Sequence, residues 1–293
     1  MDNTLVRNLI DAGIHFGHRS SRWNPKMAPY IFGKRRLIHI IDVKETLKGL
    51  LYARKFLAQV VADGKDVLFV GTKRQARKVI ETVAQDTGMH YVNDRWLGGT
   101  LTNFRTIRSR LGRLAELETL LESEKAQQYS KKQLSAYRRE LRKIKRNLEG
   151  IRHMERLPGA IVVVDQRREI NAVKEARKLS IPTVCLLDTD SDPDMVDIAI
   201  PGNDDAMRAI ELVIQELGAA VKEGKAGRVD RGGEGGPAAK AARRRSQRPA
   251  MGRADEGAPA SEAGQSPAPE APAAAETPAP ETPAEPAEEP AKE

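Results

Sequence analysis

The feature that most constrains the fold is a series of short, wholly apolar runs separated by stretches of helical periodicity. Asp66-Val-Leu-Phe-Val70, Ala160-Ile-Val-Val-Val-Asp165 and Pro182-Thr-Val-Cys-Leu-Leu187 show no inward–outward alternation. Strands of that composition are covered on both faces, and strands alternating with helices indicate a parallel α/β sheet. Leu37–Ile41, His90–Val92 and Val196–Ile200 read as further strands of the set. The intervening helices are expected from an Asp42 or Thr46 cap to about Asp63, from Thr72 to Thr87, at Glu169–Leu179 and at Asp204–Gly224, with a short one at Thr4–Ala12. Gly64 stands where a helix stop is expected. The segment from His15 to Arg36 reads as irregular, because Gly17, Pro25, Pro29 and Gly33 break any period.

Residues 104–157 interrupt this pattern. Phe104, Ile107, Leu111, Leu114, Leu117 and Leu121 recur at spacings of three and four, and Leu134, Tyr137, Leu141, Ile144, Leu148 and Ile151 repeat the pattern after a polar turn. An antiparallel coiled-coil hairpin inserted into the α/β domain is expected. The segment carries 15 basic and 7 acidic residues, so its solvated faces are strongly positive.

Charge is distributed in blocks. Residues 1–225 carry 40 Lys+Arg against 29 Asp+Glu, residues 226–253 carry 8 against 2, and residues 254–293 carry 1 against 10. A basic body of this kind suits a polyanion, nucleic acid ahead of membrane. At 4%, aromatic residues are fewer than a ligand-enclosing pocket or an extended stacking surface usually needs. The single Cys185 lies in an apolar run and excludes a disulfide framework, which fits a reducing cytoplasm. No apolar run approaches the ~18 residues of a membrane span, and the N-terminus lacks a signal-peptide core. After Lys225 hydrophobic periodicity stops, and the Ala-, Pro- and Glu-rich stretch cannot build a core, so 226–293 reads as disordered.

Four stretches carry candidate chemistry. In Asn93-Asp-Arg-Trp-Leu-Gly-Gly-Thr-Leu-Thr-Asn103 a rare Trp, a glycine pair and neutral donors lie between Arg95 and Arg105. Such donors beside a flat ring suit phosphate and base; a strand-to-helix loop with a packed Trp96 and a cap at Thr102 or Asn103 is the plainer reading. Gly71-Thr-Lys-Arg-Gln75 opens a helix after a strand, where doubly wound folds hold phosphates, yet it matches neither a P-loop nor a dinucleotide fingerprint. Lys73, Arg74 and Arg77 there suit a phosphate backbone or simple solvation. Trp23 lies among Arg19, Arg22, Lys26, Lys34, Arg35 and Arg36, so basic and aromatic groups interleave. Asp188, Asp190, Asp192, Asp194, Asp197, Asp204 and Asp205 surround the last strand. They read as turn and cap chemistry or a partner-docking face rather than metal ligands, and no nucleophile or base accompanies them. His15 and His18 lack a third ligand nearby in sequence, so no metal is assigned.

Gly13-Ile-His-Phe-Gly-His18, Trp23-Asn-Pro-Lys-Met27, Phe69-Val-Gly-Thr-Lys-Arg74 and Arg95-Trp-Leu-Gly-Gly-Thr-Leu-Thr-Asn103 resemble the bacterial small-subunit ribosomal protein S2 family. Asp188-Thr-Asp-Ser-Asp-Pro-Asp194 and Ile200-Pro-Gly-Asn-Asp-Asp-Ala206 extend the resemblance, in order, to about residue 225. It implies a flavodoxin-like three-layer domain (1–103 with 158–225), a coiled-coil insertion (104–157) and a non-catalytic, cofactor-free role. Binding to ribosomal RNA between head and body, and help in holding ribosomal protein S1, are further implications. The RNA-binding candidates are then Arg19, Arg22, Trp23, Lys26, Lys34, Arg35, Lys73, Arg74, Arg77, Arg95, Thr100, Asn103, Arg105 and Arg108. Asp188, Asp190, Asp204 and Asp205 are the docking candidates. Two other classes stay open from the residues alone: a nucleotide-using enzyme with Lys73 on a phosphate, and a helical adaptor for proteins.

Overall fold

In the computed structural model, which describes residues 3–123 and 128–234, two sheets and seven α-helices are built. The strands are β1 (Phe16–Arg19), β2 (Ile31–Arg35), β3 (Ile38–Ile41), β4 (Val67–Val70), β5 (His90–Val92), β6 (Ala160–Val164), β7 (Thr183–Leu187) and β8 (Ile198–Pro201). The helices are α1 (Asn3–Asp11), α2 (Val43–Ala62), α3 (Arg77–Thr87), α4 (Phe104–Glu122), α5 (Lys131–Leu148), α6 (Ile170–Lys178) and α7 (Met207–Glu234).

The apolar runs form one parallel sheet in the order β5-β4-β6-β7-β8. Counted within this sheet the order is 2-1-3-4-5, one of the two common doubly wound arrangements. Both faces are covered, as the lack of alternation required. Phe69, Val162, Val164, Val184 and Leu186 enter one buried cluster with Leu50 and Leu57 of α2, Ile80 of α3 and Val213 and Leu217 of α7. Leu68, Val70, Ile161, Val163, Cys185 and Leu187 point the other way, against Ala172 and Val173 of α6, Trp96, Ile107 and Leu148. Successive residues of each strand thus feed opposite cores, giving a three-layer arrangement.

Caps set the helix limits. The Asp42 side chain accepts from Lys44 N–H at 2.9 Å and starts α2, whereas the Thr46 hydroxyl donates to Pro201 O. Gly64 follows the last turn of α2 at φ +82°. Helix α3 begins at Arg77 rather than Thr72, because residues 73–76 form a turn that aims Lys73 inward.

Two expectations are corrected. The stretch 15–36 is not irregular: β1 and β2 lie on either side of β3 in a three-stranded antiparallel sheet. Leu37–Ile41 is therefore not part of the parallel sheet; β3 buries His39 and Ile41 on one face only. Second, α7 runs past Lys225 to Glu234, so helix continues into the stretch read as tail. The rest of that stretch, with Arg243-Arg-Arg245, lies outside the described residues.

Helices α4 and α5 pack on each other. Arg113 lies 3.7 Å from Glu140 and over the Tyr137 ring, and Leu114 and Leu117 are buried. Ser130 opens α5 with a reciprocal capping box to Gln133.

Candidate nucleic-acid interface

In a parallel sheet the loops leaving the strands gather at the carboxyl edge, which is where doubly wound folds hold phosphate ligands. Here that edge is filled from within. The turn after β4 directs Lys73 Nζ to Asp204 Oδ1 at 2.7 Å, Asp205 Oδ1 at 2.6 Å and Asp165 Oδ2 at 3.6 Å. Lys73 is buried, and despite that burial the three carboxylates hold its ammonium well above the usual lysine range. The Lys73 charge is thus engaged by three carboxylates of the chain itself, of which Asp204 is buried and Asp205 exposed.

Beside it, the N-terminal sheet closes the edge. Gly17 lies so near Thr189 that a β-carbon there would sit 2.6 Å from the Thr189 methyl. His18 N–H donates to Thr189 Oγ1 at 2.9 Å, and His18 Nδ1 lies 2.7 Å from Asp188 Oδ2. The hydrogen bond with Asp188, working against burial, raises the imidazole to about 9. Burial, with Asp165 and Asp188 nearby, lifts Asp204 to about 7 in spite of Lys73. His18, Asp188 and Asp204 offer donor atoms within 4.8 Å of one another. Lys73 and His18 already supply the positive charge these carboxylates need, so no metal is assigned.

The docking candidates are corrected in part. Asp188 and Asp204 are 1% exposed and face inward, so neither belongs to a docking face. Asp190 pairs with Arg167 at 2.7 Å, and Asp205, the exposed member of the four, pairs with Lys73 at 2.6 Å. Turn and cap chemistry accounts for neighbouring residues. Asp192 accepts from Asp194 N–H, and Asn203 Oδ1 accepts from Asp205 and Ala206 N–H ahead of α7.

The Trp96 loop is held by a residue that sequence reasoning missed. Glu175 of α6 accepts from Trp96 Nε1 at 3.1 Å and Gly99 N–H at 2.8 Å with one oxygen, and from Leu101 and Thr102 N–H with the other. Burial would raise this carboxyl, but the donors outweigh it and the net displacement is downward. Gly99 takes φ +88° to present its N–H. Trp96 is buried and offers no stacking face, so the plainer reading of this ring holds. Thr100 is also buried, with its hydroxyl donating to Leu97 O at 2.5 Å, which withdraws it as a phosphate donor. Asn103 precedes α4 without a capping bond, and its side chain accepts from Thr106. No local signal marks Glu175, since its partners lie more than seventy positions earlier.

The remaining candidates divide by availability. Lys26 is paired with Asp192 and Asp194 at 2.9 and 2.8 Å, and Arg77 with Asp94 at 2.8 Å. Arg19, Arg22, Lys34, Arg35, Arg74, Arg95, Arg105 and Arg108 are exposed and form no ion pair among the described residues. Trp23 is partly exposed and stacks on His39 with ring centroids 5.0 Å apart. No helix among the described residues is long and apolar enough to cross a membrane.

Residues 9–224 match the family described as Ribosomal protein S2. Over 225 residues the chain is 58% identical to the small ribosomal subunit protein uS2 of Rhodopirellula baltica, covering 77% of this chain and 86% of that one. It is 50% identical over 224 residues to uS2c of Rhodomonas salina, with 76% and 92% covered. It is 46% identical over 230 residues to uS2 of Petrotoga mobilis, with 78% and 80% covered.

Proposed function

The chain belongs to the ribosomal protein S2 family, and from that premise we propose that it binds small-subunit ribosomal RNA through exposed, unpaired arginines and lysines. Membership makes it a structural, non-enzymatic constituent of the small ribosomal subunit. The observation that carries the RNA reading is the contrast in how its basic residues are used. Lys73, Lys26 and Arg77 are tied to carboxylates, whereas Arg19, Arg22, Lys34, Arg35, Arg74, Arg95, Arg105 and Arg108 are not. Exposed cations without protein partners suit a polyanion, and phosphate contacts of this kind position a protein without reading sequence.

Within this reading the domain of 1–103 with 158–225 is flavodoxin-like and lies against RNA between head and body, while 104–157 is a basic coiled-coil arm. Help in anchoring ribosomal protein S1 belongs to the same reading; of the acidic candidates Asp205 is the exposed one, and it is paired with Lys73.

Salt titration tests the RNA contact. Affinity for a small-subunit RNA fragment should fall with salt at a log–log slope of about −0.7 per single-stranded phosphate contact. Arg105→Glu with Arg108→Glu should weaken binding and flatten that slope. A salt-insensitive affinity, or an unchanged one in the double variant, would overturn the reading.

A further inference from the structure

We propose that the hollow between α4, α5 and Leu97 receives an unpaired RNA base, adenine by the match of its edge. This rests on the RNA-binding reading above and adds which part of the RNA one site takes. Helical spacing builds the hollow. Ile107 and Leu114 of α4 are buried, but Arg110, three and four positions from them on the same side of the helix, is exposed. A long cation thus stands where the seam between two packed helices takes an apolar knob. The open cavity beside it measures about 270 Å³, floored by Leu97, Ile144 and Leu148 and rimmed by Arg110, Lys143 and Asn147. Sites that enclose whole small molecules run to roughly 300–1,000 Å³, so this one suits a single ring system.

The floor is held in place by the protein itself. Leu97 follows Trp96, whose Nε1 donates to Glu175, and lies two positions before Gly99, whose N–H donates to the same oxygen. Its carbonyl accepts from the Thr100 hydroxyl. Leu97 and Ile144 pack on the core beneath them yet stay partly exposed. Asn147 supplies the specific group, because its Oδ1 is buried without a hydrogen-bond partner. A buried acceptor left unpaired costs stability, and a ligand that donates to it from the cavity would satisfy it. An asparagine amide pairs bidentately with the N6–H and N7 edge of adenine.

Charge selects RNA over a protein side chain as the occupant. Arg110 and Lys143 are exposed and form no ion pair among the described residues. Glu140, the one acid on the rim, lies 3.7 Å from Arg113, which offsets its charge. An apolar floor under a positive rim complements a ligand that is apolar at one end and anionic at the other. A nucleotide swung out of its helix has that form: its ring fills the hollow against the planar Arg110 guanidinium, and its phosphate meets Lys143. Paired bases keep their rings within the duplex, so the occupant comes from a loop, bulge or junction.

The test uses small subunits assembled with the full wild-type chain, with a variant, or without the protein. Dimethyl sulfate reads adenine N1, and hydroxyl radicals read the RNA backbone. At least one unpaired adenine should react about 5- to 100-fold less when the wild-type chain is present. Asn147→Leu should restore its reactivity by removing the amide, and Ile144→Phe by filling the hollow, while backbone protection around it persists in both. Because Asn147→Leu removes an unpaired buried acceptor, its urea midpoint should hold or rise, whereas loss of a merely structural amide would lower it. An adenine that stays protected in both variants, or base and backbone protection lost together, would overturn the site. Backbone protection by the wild-type chain with no protected adenine would overturn it too and assign the hollow to a protein neighbour. If the wild-type chain protects no backbone at all, the RNA-binding reading itself fails.

Discussion

His18 Nδ1 lies 2.7 Å from Asp188 Oδ2, joining β1 to the loop after β7 across 170 positions of sequence. With the bond from His18 N–H to Thr189 Oγ1, this contact fastens the N-terminal sheet onto the carboxyl edge of the parallel sheet. The imidazole is raised to about 9 from an ordinary 6.5. A group raised on folding contributes stability that is fully present below the unfolded value and is lost as pH rises through the folded one. Asp204, raised from 3.8 to about 7, acts in the same direction at lower pH. The urea midpoint of the wild-type chain should therefore fall between pH 7 and pH 9, by about 1–2 kcal/mol in stability after allowing for the exposed ring edge. His18→Gln should be less stable at pH 7 and flatter across that window. Parallel pH profiles for the two proteins would refute the assignment.

Glu175 anchors the Trp96 loop through five donors from that loop, the Thr102 hydroxyl among them. Glu175→Gln keeps the shape but turns one accepting oxygen into an amide that faces N–H groups. The expected cost is about 2–3 kcal/mol, the loss of charge-assisted bonds to partly buried donors. Trp96 should gain contact with water, so fluorescence emission should move to longer wavelength. Unchanged emission and an unchanged midpoint would show that the loop holds without this carboxylate.

Lys73 and the exposed arginines should separate in experiment. Lys73→Met leaves Asp204, Asp205 and Asp165 without their shared cation, and breaking one side of such a buried network costs about 3–5 kcal/mol. RNA affinity, measured below the unfolding range, should keep its wild-type salt slope. A reduced slope would return Lys73 to the RNA-contacting set.

What the sequence disclosed follows the physics of each element. The parallel strands were legible because burial on both faces leaves β4 and β6 wholly apolar and β7 with a single polar residue, Thr183, at its start. The cap at Asp42 was legible because capping is local chemistry. The N-terminal sheet was hidden: its solvent face carries Phe16, Phe32 and Ile38, so the alternation that reveals a half-buried strand is missing. Basic residues look alike in sequence, and only the fold separates Lys73, whose partner Asp204 lies 131 positions away, from Arg74 next to it. The same holds for the acidic cluster, where Asp204 is buried and Asp205 is exposed.

The turn joining β2 to β3 offers a last prediction. Arg36 and Leu37 occupy it at φ +48° and +65°, the left-handed region that a two-residue hairpin turn demands and that Asn-Gly fills best. Side chains with a β-carbon are disfavoured there by about 1–2 kcal/mol per residue. Leu37 is 67% exposed, so little packing offsets the strain. Such strain persists where the side chains serve contact with another molecule, and this turn carries Arg36 beside Arg35, both exposed. Arg36→Asn with Leu37→Gly should therefore raise stability by about 1 kcal/mol. The same change should weaken RNA binding and lower its salt slope by about one phosphate contact. A midpoint that falls, as for an ordinary exposed Leu→Gly change, would show that the turn stores no strain; undiminished RNA affinity would show that its side chains do not touch the ligand.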